Sequence, residues 1–492
     1  MRVPGPKQKR RAAPAALSAR LVDRVTLEAR PDGNIAACFD GYAVDLGAFS
    51  AVAAERAQGL REGVPLASFP PEGRSVDKEI YLLVRRLAGH GLIEYRIGLA
   101  RSGEDRVVIE PQVPDYWPRT PQIDNTDVLV LSRFAYMRRR GNDLVLESPR
   151  AGALFRICDP GITAAIATLS TPHQIKRFRR QDGFPGIELL ARLLDCRILF
   201  KIDPARGSGL RPDEGDESLV LWDFHDLLFH ARSTEGRHAN PLGGVYPHTG
   251  IIPPLPAVRP LWPGKKIDLR KLLTTDSQPI SPATKLLHER HSTRSFDDQQ
   301  PISLADLSRF LDRAARVRST WESRLDLGGS DDPVVAYAAR PYPSGGADYE
   351  LELYLAVDKC EGLERGFYHY DAGGHALAPI DVRRHEVEAL LRGAEFAMGV
   401  PGAPQILITI AARFGRTSWK YTSIAYALIL KDVGVLTQTF YLMATDMGLG
   451  GCAIGSVNIE LFAKMTGLEF HIEGPVGQFA LGRPAKLAFS GK

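Results

Sequence analysis

The chain has 492 residues, 44% hydrophobic and 24% charged, with a formal net charge of +4 from 62 basic and 58 acidic side chains. That length accommodates two to four domains, and the composition is that of a globular protein, not a disordered or fibrous one. So nearly balanced a charge gives no ground for a nucleic-acid partner. The five cysteines, Cys38, Cys158, Cys196, Cys360 and Cys452, form no CxxC; their odd number argues against a disulfide framework or zinc knuckle and for a reducing, cytoplasmic setting. No uninterrupted apolar run approaches the roughly 18 residues of a membrane span.

The N-terminal stretch MRVPGPKQKRR carries five basic residues and no acidic one. Residues 1–20 are read as a basic tail without an apolar signal core. From there the chain repeats a pattern. An alternating stretch with a turn signal, RVTLEARPDGNIAACFD (24–40), is followed by helical patterns at 46–60 and in IYLLVRRLAGHGLIEYRI (80–97), which runs into a strand. The same order recurs in RFAYMRRRGNDLVLESP (133–149), PGITAAIATL (160–169) and IELLARLLDCRILFKI (187–202). A duplicated winged-helix-like unit of roughly 80 residues is expected, over 21–112 and 120–205. The candidate recognition helices carry few outward basic or amide residues, against DNA binding. MRRR (137–140) and IKRFRR (175–180) are solvated faces or a docking surface for an acidic peptide.

Residues 206–265 read as a linker: a Gly/Pro/charge-rich loop, the helical LWDFHDLLFHARS (221–233), then a Pro/Gly-rich connector. His225 and His230 lie five apart and share no helix face, so packing or capping is expected of them and no metal site.

Residues 266–492 form the last domain. LLHERHSTRSF reads as a helix end followed by an extended link, and a second helix opens at Ser303, with Asp306 completing a box-like cap. Arg290, Ser292 and Arg294 leave the first helix together, a pattern suited to phosphate, since guanidinium is always charged and bidentate. RPYPSGGADYELELYL (340–355) brings Pro343, Ser344, Gly345 and Gly346 ahead of a strand, and paired glycines admit a close, flat ligand. SIAYALILKDVGVLTQTFYLMATDMG (423–448) is a helix of about 24 residues and about 36 Å, apolar nearly all round, hence buried or at an interface. It ends in Gly448, Leu449, Gly450 and Gly451, more glycine than a helix cap needs. Arg483 follows the final strand.

In this order, across about 270–490, these pieces resemble the FMN-dependent nitroreductase superfamily. RPYPSGG, WKYTSIAYALILKDVG and LWDFHDLLFHARS narrow the resemblance to its peptide azoline dehydrogenase branch, the SagB/ThcOx-type oxidases of ribosomal peptide maturation. The resemblance implies an α+β chain. Its C-terminal part would be a nitroreductase-like FMN fold, a mixed sheet flanked by helices with one interface helix, preceded by two peptide-clasp domains. It further implies a homodimer, FMN, a precursor peptide with leader and azoline core, dioxygen as electron acceptor and a cyclodehydratase partner. Arg290, Ser292 and Arg294, with Gly448, Leu449, Gly450, Gly451 and Arg483, would hold the flavin phosphate and ribityl side. Pro343, Ser344, Gly345 and Gly346 would face its ring. Lys420 and Tyr421 would be catalytic, moving the ring proton. Two positions depart from the family pattern: His291 stands where a second Arg is frequent, and Asp348 where a small or aromatic residue is common. A nicotinamide-dependent nitro- or ene-reductase and a non-catalytic peptide-binding scaffold remain as alternatives.

Overall fold

A computed structural model describes residues 15–485, except 32, 40, 69–74, 100–103, 181–185, 203–216, 239–243, 245, 262, 274–278 and 330. The basic tail therefore lies outside the described residues, apart from its last few positions. The chain divides into two units, Met1–Ala239 and Asn240–Lys492.

The first unit contains a repeat. A central strand, Ala15–Leu21, is flanked by Val64–Pro65 and Ile93–Leu99, and its equivalent, Val128–Leu131, is flanked by His173–Gln174 and Leu199–Ile202. Within each repeat a hairpin and two helices lie between the first and last strands. The second helix of each repeat, Ser75–Gly89 and Ile187–Asp195, turns Ile80, Leu83, Val84 and Leu87, and Leu189, Leu190 and Leu193, into the core. This is the i, i+3, i+4 stripe read from the sequence. The repeats are not independent bodies. Asp105–Pro111 pairs with both Ile93–Leu99 and Ala153–Ile157, so a seven-stranded sheet crosses from one repeat to the other. One apolar core runs from Ala19 to Leu199. The MRRR run forms the edge strand Tyr136–Arg140, where Arg138 pairs with Glu147 at 2.6 Å and Arg140 with Glu110 at 2.6 Å. Two of its cations are thus neutralised within the fold. His230 is fully buried and stacked on Trp222, while His225 sits beside the helix cap Asp223.

In the second unit a six-stranded sheet runs Ala376–Ile380, Gly366–Asp371, Leu351–Val357, Ile406–Arg413, Glu473–Gly482, Gly450–Ile454, and each of its described ladders is antiparallel. Helices Arg384–Met398 and Ile459–Thr466 cover a core built on Tyr354, Leu407 and Ala480. Ser303 caps Leu304–Ala314 as expected, accepting from Asp306 N at 3.1 Å. The long helix spans Ala425–Asp446 and buries Tyr426, Ile429, Asp432, Leu436, Phe440 and Ala444. Ala427, Lys431, Gly434 and Gln438 remain exposed on another face. By length and composition this helix would also pass as a membrane span, although Lys431 and Asp432 interrupt its apolar run. Packing of its inner face explains the apolarity.

Candidate active site

The structure gathers the expected site residues into two groups along the long helix. The first lies where the chain leaves helix Pro282–Glu289. Thr293 N–H donates to Gly451 O at 2.8 Å, Asp297 N–H to Arg483 O at 2.9 Å, and Gly450 pairs with Gly482. The Arg290 guanidinium lies 4.9 Å from the centre of the Tyr441 ring, and Ser292 Oγ is 2.9 Å from the Tyr441 hydroxyl, which also accepts Ala453 N–H at 2.8 Å. Arg290, Ser292, Arg294, Gly448, Leu449, Gly450, Gly451 and Arg483 are therefore neighbours, as the sequence order suggested. Among the described residues neither Arg290 nor Arg294 has a carboxylate partner. Two guanidinium groups without a carboxylate partner beside a backbone turn suit a bound phosphate. Arg483 differs: it pairs with Asp306 at 3.2 Å. His291 Nδ1 lies 3.0 Å from Glu289 O.

The glycine run has separate physical reasons at each position. Gly448 ends the helix in the left-handed region at φ +66°. A Cβ on Gly450 would stand 2.5 Å from Thr293 Cγ2, and one on Gly451 2.3 Å from the Phe479 ring. Close packing of this chain's own side chains accounts for the last two.

The second group surrounds the PSGG turn, Pro343–Gly346. Gly346 takes φ +63°, and a Cβ there would meet Lys420 Nζ at 2.4 Å and Tyr421 OH at 2.5 Å. The adjacent Lys-Tyr pair thus converges on one point above Gly346. Lys420 Nζ donates to Gly346 O at 2.8 Å and lies 3.5 Å from Asp348 Oδ1. The pair does not open the long helix; it sits in the turn before it, where both backbone N–H groups donate to Thr417 O. Lys420, Asp348, Arg413, Arg416 and Glu473 share a cleft of about 510 Å³ with an apolar wall that includes Leu325, Val334, Tyr337 and Trp419. Gly346→Ala should keep the fold, because the crowded atoms are ends of long side chains. It should lower kcat about tenfold by displacing them and straining φ; steady-state kinetics with melting curves would check both halves.

Sequence reasoning missed the carboxylates beneath the turn. Asp432 Oδ2 accepts from Gly345 N at 2.8 Å and from Ser344 Oγ at 2.8 Å. An acid in mid-helix among apolar residues was the available signal, since a buried carboxylate needs donors. Glu350 is 1% exposed and its Oε1 has no partner. Its Oε2 is 3.3 Å from Ser344 Oγ, which also accepts Tyr349 N–H at 2.9 Å. A hydroxyl has one proton, and Asp432 holds the shorter contact, so Glu350 completes the network when it carries a proton itself. Burial foremost, then the Asp432 and Asp348 charges, pushes Glu350 from 4.5 up to about 7. Burial also raises Asp348, against the pull of Lys420 and Arg416.

A carboxyl whose folded pKa is raised gives stability that is complete below its unfolded value and lost as pH rises through the folded one. For Glu350 the window runs from 4.5 to about 7, and a rise of that size is worth about 3 kcal/mol. Unfolding free energies at pH 5 and pH 8 should therefore fall more steeply in the wild type than in Glu350→Gln, by up to about that amount. Parallel pH dependences would contradict the assignment.

Two family models match the chain. The nitroreductase family matches residues 287–483, and the cyanobactin oxidase ThcOx matches residues 129–239. A Methanocaldococcus jannaschii protein described as a nitroreductase is 32% identical over 173 residues, 35% of this chain and 77% of that one. The trifolitoxin-processing protein TfxB of Rhizobium leguminosarum is 28% identical over 160 residues, covering 31% of this chain and 43% of TfxB. The microcin B17-processing protein McbC of Escherichia coli is 27% identical over 165 residues, covering 32% and 59%. The chain thus spans less than two thirds of either processing protein. Among solved structures, a Ralstonia eutropha nitroreductase aligns over 43% of this chain and 87% of its own, at 25% identity and TM-score 0.31. A chain of the Escherichia coli microcin synthetase McbBCD complex aligns over 55% and 97%, at 20% identity and TM-score 0.38. At these scores neither structure bears on the arrangement of this chain.

Proposed function

Because the chain belongs to the nitroreductase family, we propose that it is an FMN-dependent dehydrogenase that oxidises thiazoline or oxazoline rings of a ribosomally made peptide to thiazole or oxazole. The observation that carries this reading is the convergence of Lys420, which lines the cleft, and Tyr421 over Gly346. Aromatising an azoline removes two hydrogens, one of them the acidic Cα proton. That proton needs a positioned acceptor, and an amine with an adjoining phenol provides one. FMN, when bound, would take the other hydrogen as hydride, a proton with two electrons, and dioxygen would accept those electrons with two protons as hydrogen peroxide. Arg290 and Arg294 would hold its phosphate, with Ser292 alongside. Gly346, having no side chain, leaves room for the ends of Lys420 and Tyr421 to meet over the turn. The apolar cleft wall would seat the heterocycle and keep water from the proton-transfer step.

Several features support the peptide assignment. The ThcOx match falls on the second repeat and the helix Phe224–Ser233, ahead of the nitroreductase segment. TfxB and McbC both carry peptide-processing names. The repeats are assigned as leader-binding clasps, the first opening with the strand Ala15–Leu21 and so earlier than the expected residue 21, because that strand pairs with Ile93–Leu99. A substrate lacking its leader should then need at least about tenfold higher concentration for half-maximal rate, the loss of roughly 1.4 kcal/mol of binding; equal half-saturation would remove the clasp role. The exposed Ala427, Lys431, Gly434 and Gln438 face of the long helix is assigned to a second copy, making a cytoplasmic homodimer that works with a cyclodehydratase. A monomer by sedimentation in the flavin-bound state would contradict that assembly.

The test against a nicotinamide-dependent reductase is direct. Azoline peptide should be turned over in air without NAD(P)H. An absolute requirement for NAD(P)H would favour the reductase.

A further inference from the structure

Asp348 stands out because the resemblance leaves it without a role, yet the fold aims it with care. Its backbone lies between Ala347 at φ +57° and Tyr349 at φ +47°, two non-glycine residues in the left-handed region. Strain of this kind, of order 1 kcal/mol or more per residue, persists only where surroundings enforce it. The enforcing contacts are present. Arg416 donates through Nε to Asp348 O and through a terminal nitrogen to Ala336 O at 2.7 Å, tying the turn to the hairpin strand Val334–Ala339. Tyr349 N–H is held by Ser344 Oγ, and the Tyr349 ring packs edge-on against Tyr342 at 5.5 Å.

The carboxylate so placed is 5% exposed, with Oδ1 3.5 Å from Lys420 Nζ and Oδ2 without a partner. Lys420 Nζ therefore meets two oxygens on the turn, those of the Gly346 carbonyl and of Asp348. Other charged groups lining the cleft are Arg413, Arg416 and Glu473, and Asp348 is the acid paired with Lys420. Without it a flexible four-carbon side chain keeps one neutral carbonyl and the ring faces of Tyr337 at 5.8 Å and Tyr421 at 5.3 Å, and loses its carboxylate partner.

We propose that Asp348 is a positioning residue that holds Lys420 Nζ over Gly346, against the Tyr421 hydroxyl, so that amine and phenol act at one point. The proposal rests on the dehydrogenase reading for its consequence in turnover, but not for the contact itself.

The test uses the purified full-length chain and an acetylating reagent, with peptide mass spectrometry comparing the acetylation rate of Lys420 with that of exposed Lys285. Asp348→Ala should raise the Lys420-to-Lys285 ratio about tenfold, as expected on losing a charge-assisted contact. The isosteric Asp348→Asn, which keeps an oxygen acceptor and guards against a folding defect, should raise it less. On azoline peptide, kcat should fall about tenfold in Asp348→Ala while KM stays within about twofold, since geometry is lost and binding is not. Ratios unchanged in both variants would overturn the proposal, whatever the activity. A wild type inert toward azolines would sink the dehydrogenase reading, and the acetylation ratio would still decide whether Asp348 holds Lys420.

Discussion

Lys420→Ala should lower azoline oxidation at least about a hundredfold while flavin stays bound. Positioned proton transfer contributes roughly 10² to 10⁴ in rate. The side chain stands above Gly346 in the turn group, beside Asp432 of the long helix, whereas Arg290 and Ser292, assigned to the phosphate, gather about Tyr441 of that helix. Asp432 and Tyr441 are nine residues apart, about 14 Å at 1.5 Å per residue. Truncating Lys420 should therefore spare the contacts that retain the cofactor. Flavin content is read from absorbance, and single-turnover rates isolate the chemical step. Loss of flavin together with activity would show that Lys420 serves binding, and unchanged turnover would remove it from the chemistry.

The second large effect concerns stability. Gly451→Ala should destabilise the protein by about 3 kcal/mol, at the upper end for overpacking a core. The added Cβ would stand 2.3 Å from the Phe479 ring. That ring cannot step aside, because it is fully buried and wedged between Phe440 at 5.3 Å and Tyr441 at 5.1 Å. For a unit of this size about 3 kcal/mol corresponds to a fall of roughly 6–12 °C in melting temperature. Gly455→Ala is the matched control, since nothing lies within 4 Å of its Cβ position. A Gly451→Ala protein as stable as the control would mean that the Phe479 cage yields more readily than its burial implies.

Much of the fold was legible because it is written in periodicity. The repeat in the first unit showed in helices whose apolar residues recur at i, i+3 and i+4, and in hairpins marked by Pro-Asp-Gly and Arg-Gly-Asn-Asp. The short strands Val64–Pro65 and His173–Gln174 were not legible. Two residues carry no alternation, and they become strands only because Ala15–Leu21 and Val128–Leu131 lie beside them. The sheet that crosses both repeats was hidden for the same reason: pairing partners far apart in sequence leave no local trace.

The site was legible where chemistry demands a residue type. Arginines around a serine, paired glycines and the Lys-Tyr pair could all be located. What surrounds them could not: Asp348 showed only as a departure from the family pattern, without a role, and Glu350 and Asp432 act through burial and mutual distance. Gly450 and Gly451 show the converse. Their density suggested a ligand, while the space beside them is taken by Thr293 and Phe479.

The most direct measurement is mass spectrometry of a leader-bearing azoline peptide after aerobic incubation with the purified, flavin-loaded protein and no nicotinamide. A loss of two hydrogens per ring with the wild type, absent with Lys420→Ala at equal flavin content, is the predicted result. An unchanged peptide mass with flavin-loaded wild type would contradict the assignment of the cleft to azoline oxidation.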